Sequence, residues 1–117
     1  MRHKESDLQI ACVKWFRYQY QDYRLNLFSV PNGGHRRIET AIWMQKEGQV
    51  SGVSDLILAV PSSGYSALFI EIKIKPNKQS KAQREFQNAV ERFPQYKYTI
   101  IYDYDQFKKE ITEYLCD

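Results

Sequence analysis

Residues 51–75 read SGVSDLILAVPSSGYSALFIEIKIK, and the fold turns on how this stretch is read. It holds two apolar runs, residues 55–60 and 67–74, separated by Pro61, Ser62, Ser63, Gly64 and Tyr65. Branched apolar runs bounded by Gly, Pro and Ser predict strands, and the short break between them predicts a hairpin. The first run is apolar at successive positions, as in a central strand covered on both faces. Asp55 opens that run, and Glu71 and Lys73 interrupt the second.

Side chains two apart along a strand share a face, roughly 6.5 to 7 Å from one another. Glu71 and Lys73 therefore share one face, and Leu68, Ile70, Ile72 and Ile74 the other. With a five-residue loop over residues 61–65, Val60 falls opposite Ser66 and Asp55 opposite Glu71. Opposed residues of an antiparallel pair also share a face, with Cβ atoms roughly 5 Å apart. The two carboxylates then lie side by side with Lys73 next along; a loop one residue longer would turn Asp55 away. One account makes Glu71, Lys73 and Lys75 the solvated face of a half-buried strand. That explains the alternation but not an aspartate at the head of a run apolar on both faces. Carboxylates so close repel and raise a pKa unless a cation neutralises them. Two carboxylates and an ammonium on one face suit a divalent metal and an attacking water.

On these residues the chain resembles the PD-(D/E)xK nuclease superfamily. Gly52-Val53-Ser54-Asp55-Leu56 followed by Ile70-Glu71-Ile72-Lys73 is most similar to its VRR-Nuc family, in particular the stand-alone members. Val30-Pro31-Asn32-Gly33-Gly34 ahead of the hairpin and Ser80-Lys81-Ala82-Gln83 after it also match, in the family's order. The resemblance spans roughly residues 5–101. One departure is Ser54, where the superfamily name has Pro.

Bulk properties agree with one domain over residues 1–117. The chain is 43% hydrophobic and long enough to bury roughly two thirds of its unfolded surface. It shows no repeat, low-complexity tract or Gly/Ser linker. A net charge of +3 with a pI near 8.8 permits a polyanionic partner without indicating one. Cys12 and Cys116 lie far apart without metal-type spacing and read as reduced thiols of a cytosolic protein. No run reaches the length of a membrane span, and Met1-Arg2-His3-Lys4 is not followed by a signal-type apolar region.

Along the chain, Ser6 to Gln9 fits a capping box, which predicts a helix over residues 7–20 with Leu8, Ala11, Cys12, Trp15 and Tyr18 inward. Residues 25–30 alternate as a first strand. Pro31-Asn32-Gly33-Gly34 forces a turn, and with His35, Arg36 and Arg37 its glycine amides also suit a phosphate oxygen. Residues 38–47 predict a second helix, with Gly48 as the residue that ends it and Ile38, Ala41, Ile42 and Met44 packing inward. After the hairpin, Ser80 and Gln83 form a second capping box, opening a helix that runs through about Phe93. Residues 96–102 predict the last strand. Asp105 is expected to cap a helix over 106–115, with Phe107, Ile111 and Leu115 inward. Most of the nine tyrosines are assigned to core faces. Lys75, Lys78, Lys81 and Arg84 cluster beside the hairpin face, where a charge run is either solvated surface or a phosphate contact.

The predicted order is helix, strand, helix, strand, strand, helix, strand, helix. Without the second helix it leaves α-β-β-β-α-β, the core order of the resembled superfamily, followed by the C-terminal helix. The expected fold is thus a restriction-endonuclease-like α/β core, a mixed sheet flanked by helices, with an inserted helix and a C-terminal helix.

The resemblance implies a metal-dependent DNA endonuclease. In it, Asp55 and Glu71 bind Mg²⁺ or Mn²⁺ with the Ile72 backbone carbonyl and waters, since hard cations take oxygen ligands. Lys73 holds or deprotonates the attacking water. An acid in a Glu-x-x-x-Gln context on the first helix reaches the metal site, a spacing Glu5 and Gln9 hold; Glu5 would act through a water. Glu5 also fits a carboxylate favoured by a helix N-terminus, and Asp7 is the rival acid. Gln83 fits two roles, helix cap and neighbour of the catalytic water. The family's small stand-alone members further imply a homodimer acting on branched DNA such as four-way (Holliday) junctions, inside the cell. The alternative is a non-catalytic DNA-binding module on the same fold.

Overall fold

The computed structural model describes residues 4–31 and 38–116. The hairpin sits at its centre. Strands β1 (Leu27–Ser29), β2 (Leu56–Leu58), β3 (Ala67–Ile72) and β4 (Tyr96–Ile101) form one sheet in the order β1-β2-β3-β4. The pairs β1/β2 and β2/β3 are antiparallel and β3/β4 is parallel. Parallel neighbours require a crossover, and helix α3 (Lys81–Glu91) supplies it.

Helices α1 (Lys4–Gln19) and α4 (Tyr104–Leu115) cover one face of the sheet and α3 the other. Between the sheet and the first pair lies the aliphatic core: Cys12 and Phe16 of α1, Leu56 and Leu58 of β2, Leu68, Ile70 and Ile72 of β3, Phe107 and Ile111 of α4. Burying a side chain of this size contributes roughly 1.5–3 kcal/mol, so this layer holds the sheet in place. The α3 side is thinner and aromatic: Phe69 packs edge-on to Phe86 and Tyr96, and Phe86 lies against Tyr98. This mixed α/β architecture, a four-stranded mixed sheet flanked by helices, is the one expected from the element order.

Several local expectations need correction. Helix α1 starts at Lys4, before the Ser6 pattern, which places Glu5 within its first turn. Its buried stripe is Cys12 and Phe16, flanked by Leu8 and Trp15, whereas Ala11 and Tyr18 are exposed. Helix α2 (Ile38–Lys46) buries no residue; Ile38 and Ile42 are exposed and only Ala41 and Met44 are partly covered. Both sheet faces are already occupied by the other helices, so the inserted helix lies outside the core. Helix α4 is capped by Asp103, whose carboxylate accepts from the Gln106 N–H at 2.7 Å, and Asp105 sits inside the first turn. Its inward set gains Tyr114, while Leu115 is only half-buried. Of the tyrosines only Tyr98 and Tyr114 are buried. Among the described residues no helix is long and apolar enough to cross a membrane.

Candidate active site

The register of the hairpin fixes the site. Leu56 pairs with Ile70, Ile57 with Phe69 and Leu58 with Leu68, so one step further Asp55 stands opposite Glu71. The connection is tighter than a five-residue loop: Ser63 and Gly64, with φ of 54° and 84°, make a two-residue turn bracketed by a Ser62–Tyr65 bridge. Positive φ at both central positions matches the twist of the flanking strands. The first strand carries one extra residue between Leu58 and Ser62, and the pairing beyond it keeps the predicted register.

The shared face of Glu71 and Lys73 is not solvated. Glu71 is 1% and Lys73 8% exposed, because α3 and the loop before it close over them. Glu71 Oε1 accepts from the Tyr98 hydroxyl at 2.7 Å and from Gln79 Nε2 at 2.9 Å. Gln79 is itself held by donating to Gln87 Oε1 at 2.9 Å. Glu71 Oε2 is buried with no hydrogen-bond partner. Burial and the Glu71 carboxylate together push the Tyr98 phenol well above its ordinary range, which keeps it a donor.

Lys73 Nζ donates to Gln83 Oε1 at 3.0 Å. The same oxygen accepts the Ser80 N–H at 2.8 Å, and the Gln83 N–H donates to Ser80 Oγ at 3.1 Å. One glutamine thus closes the capping box of α3 and accepts from the buried ammonium of Lys73. Gly52 brings that helix end close. It has φ +82°, and a Cβ there would lie 2.4 Å from the Ala82 carbonyl and 2.7 Å from the Gln83 nitrogen. The glycine of the Gly52-Val53-Ser54-Asp55 motif is therefore a contact point between the turn ahead of β2 and the start of α3.

Asp55 is clamped through its backbone and its side chain. Its carbonyl accepts from the Val30 N–H at 3.1 Å, and Oδ2 accepts from the Ile72 N–H at 2.6 Å. A strand residue turns its N–H and C=O to the same side, so the Ile72 carbonyl also faces the Asp55 side. Burial is the main cause that raises the Asp55 pKa, with Glu71 and Glu5 adding to it, against the Ile72 N–H and Lys73, which lower it. Ser54, at the superfamily's Pro position, is fully buried and donates to the Leu56 carbonyl at 3.3 Å. From α1, Glu5 Oε2 reaches the Ile74 N–H at 3.4 Å and Asn77 Nδ2 at 3.5 Å. Glu5, not Asp7, lines the groove that opens onto Asp55.

Among the described residues no group of three or more His, Cys, Asp or Glu side chains stands ready to hold a metal. The donor set nevertheless fits a hard cation: two carboxylates, one with an unpartnered buried oxygen, beside a backbone carbonyl. Mg²⁺ takes one or two carboxylates and keeps several waters, so a third carboxylate is not required.

Residues 1–102 match the family model of the VRR-NUC domain. The chain belongs to the VRR-NUC family. A solved structure of a VRR_NUC domain protein is similar to it with a TM-score of 0.81 at 20% sequence identity, over 97% of this chain and 89% of that one, a likeness that concerns the fold. No curated protein matches the chain. VRR-NUC domains are nuclease-type DNA-processing modules, typically dependent on a divalent metal.

The VRR-NUC match ends at residue 102 and so includes every residue of this site. Two of them, Gln79 and Tyr98, carry no motif signal. Tyr98 lies 27 residues from Glu71, and only the parallel pairing of β3 with β4 brings it alongside. The basic candidates are spread around the site. Lys75, Lys78, Lys81 and Arg84 are all exposed. Lys75 lies over the Tyr102 ring at 5.2 Å, Lys81 faces Glu85 at 4.0 Å, and Arg84 donates to the Gln79 carbonyl at 2.9 Å. Asn32, Gly33, Gly34, His35, Arg36 and Arg37 lie outside the described residues.

Proposed function

We propose that this VRR-NUC protein is a divalent-metal-dependent endonuclease that hydrolyses DNA phosphodiesters. The observation that carries the reading is Glu71: a buried carboxylate with one oxygen accepting hydrogen bonds from Tyr98 and Gln79 and the other without a hydrogen-bond partner, opposite Asp55. An unpaired buried charge is costly, and a cation shared with Asp55 would relieve it. Asp55, Glu71 and the Ile72 carbonyl would hold Mg²⁺ or Mn²⁺, with Glu5 contributing through a water. The chemistry such an ion supplies is acidification of a bound water and neutralisation of charge on the phosphate. Lys73, which donates to Gln83, would hold that water and move its proton. Residues 32–37 with Lys75, Lys78, Lys81 and Arg84 would contact the DNA backbone.

We further propose branched DNA, four-way junctions in particular, as the substrate and a homodimer as the active form, acting inside the cell. Cutting two strands at a junction needs two centres, and each chain offers one. The test is a Mg²⁺ and Mn²⁺ titration on duplex, single-stranded and junction DNA with wild type, Asp55→Asn and Glu71→Gln. Cutting by wild type that is lost in both variants, with DNA binding intact or stronger, is the expected result. Variants that cut at the wild-type rate, or a wild type that binds junctions and never cuts, would turn the reading to a DNA-binding module.

A further inference from the structure

We propose that Gln79 and Gln87 are positioning residues that keep the Lys73 ammonium off the Glu71 carboxylate, so that the buried Oε2 stays open to a cation. The proposal rests on the reading of Glu71 as a metal ligand and names what holds that ligand ready. Glu71 and Lys73 are both buried and point to one face, roughly 6.5–7 Å apart along the strand. A lysine carries its charge on a flexible four-carbon stem, long enough to close that gap. Opposite charges taken out of water attract strongly, and a buried charge left unpaired is costly. A direct ion pair is therefore what these two positions would form by themselves. They do not form it: among the described residues Lys73 makes no ion pair. Each charge has a neutral amide instead. Lys73 Nζ donates to Gln83 Oε1 at 3.0 Å, and Glu71 Oε1 accepts from Gln79 Nε2 at 2.9 Å.

Both amides are held in that orientation. Gln83 Oε1 is fixed toward Lys73 because the Ser80 N–H donates to the same oxygen at 2.8 Å. Gln79 Nε2 carries two hydrogens, and both are used, on Glu71 Oε1 and on Gln87 Oε1, each at 2.9 Å. Turning that amide over would set its oxygen against two acceptors, and Gln87 supplies the second of them. The Gln79 main chain is fixed as well, its carbonyl accepting from Arg84 Nη1 at 2.9 Å. Gln83 and Gln87 lie four apart on α3 and so on one side of it. The start of one helix thus sets a neutral group beside each buried charge. A Lys73 side chain turned to Glu71 would instead donate to Oε2, the oxygen that has no partner, and a divalent ion would have to displace it.

The test is a double-mutant cycle on the full chain, with Gln79→Leu and Lys73→Met alone and together. It is read by calorimetric Mn²⁺ titration and by thermal melts in EDTA. With Lys73 present, Gln79→Leu should weaken Mn²⁺ binding about 10- to 100-fold. In the Lys73→Met background the same change should cost about twofold or less, the scatter of independent sites. The melts should run the other way. With Lys73 present, Gln79→Leu should lower Tm little, because the ammonium takes up the carboxylate that Gln79 leaves. In the Lys73→Met background it should lower Tm by several degrees more. Gln87→Leu, at a half-buried helix position, should repeat both patterns at smaller amplitude and serves the cycle should Gln79→Leu not fold. A residue that only supports Glu71 gives equal losses in both backgrounds, so equal Mn²⁺ losses or equal Tm losses would overturn the proposal. If neither wild type nor Lys73→Met binds Mn²⁺, the metal reading fails, and the melts alone judge whether the two charges are held apart. If both bind and the losses are equal, the spacing alone fails.

Discussion

Replacing Tyr98 by Phe deletes one oxygen and tests whether Glu71 is held as the structure indicates. The hydroxyl lies 2.7 Å from Glu71 Oε1 in an environment where Tyr98 is 8% exposed. The ring contact with Phe86, 6.4 Å between centroids, survives the change, so packing is preserved. A hydrogen bond to a charged group contributes about 1.5–3 kcal/mol. With ~2.1 cal/mol/K of unfolding entropy per residue, the chain of 117 residues loses about 4 °C in Tm per kcal/mol. The expected fall in metal-free protein is therefore about 6–12 °C. Glu71 would keep only Gln79 on Oε1, and loss of such an outer partner typically weakens a metal site by about 10- to 100-fold. Thermal melts and calorimetric Mn²⁺ titration read the two effects separately. Because both donors share one oxygen, Tyr98→Phe and Gln79→Leu should be non-additive in a double-mutant cycle. A variant with wild-type Tm and wild-type Mn²⁺ affinity would refute the account of how Glu71 is positioned.

Gly52→Ala should destabilise by about 2–5 kcal/mol, from the left-handed backbone and the collision with Ala82 and Gln83; a loss under about 1 kcal/mol in urea denaturation would remove Gly52 as a contact point. Lys73→Met should slow single-turnover cleavage by roughly 10²- to 10⁴-fold, whereas Lys75→Met, at an exposed position over Tyr102, should change mainly DNA affinity; equal cutting rates would reduce Lys73 to structural charge. Asp55 in metal-free protein has a pKa above its ordinary 3.8, chiefly through burial. The folded state then holds the proton more tightly than the unfolded chain. Its contribution to stability is full below 3.8 and is lost as pH rises through the raised value. Neutral Asp55→Asn should accordingly melt above wild type at pH 7 without metal and lose the stabilisation by Mn²⁺; a lower melting point than wild type under those conditions contradicts the burial argument.

Sequence alone determined the hairpin, its register and the shared face of Asp55, Glu71 and Lys73. A period of two and a short loop leave few ways to pair residues 55–60 with residues 67–74, although the loop proves to be a two-residue turn with one extra residue in the strand before it, where five loop residues were expected. The Ser80 and Gln83 capping box was also legible, because a cap is a contract between residues three apart. Where two local patterns competed, tertiary contacts chose between them. Asp103 rather than Asp105 caps α4, and α1 begins before Ser6, so that Glu5 reaches the Ile74 N–H. The exposure of α2 was not legible, since its apolar residues show a helix but not that both sheet faces are already taken. The partners of Glu71 lay furthest from view. Tyr98 and Gln79 are ordinary residue types, brought to one carboxylate oxygen by a parallel strand and a loop. Whether a carboxylate on a strand faces water or a closed pocket depends on which helix crosses that face, and no pattern within the strand records it.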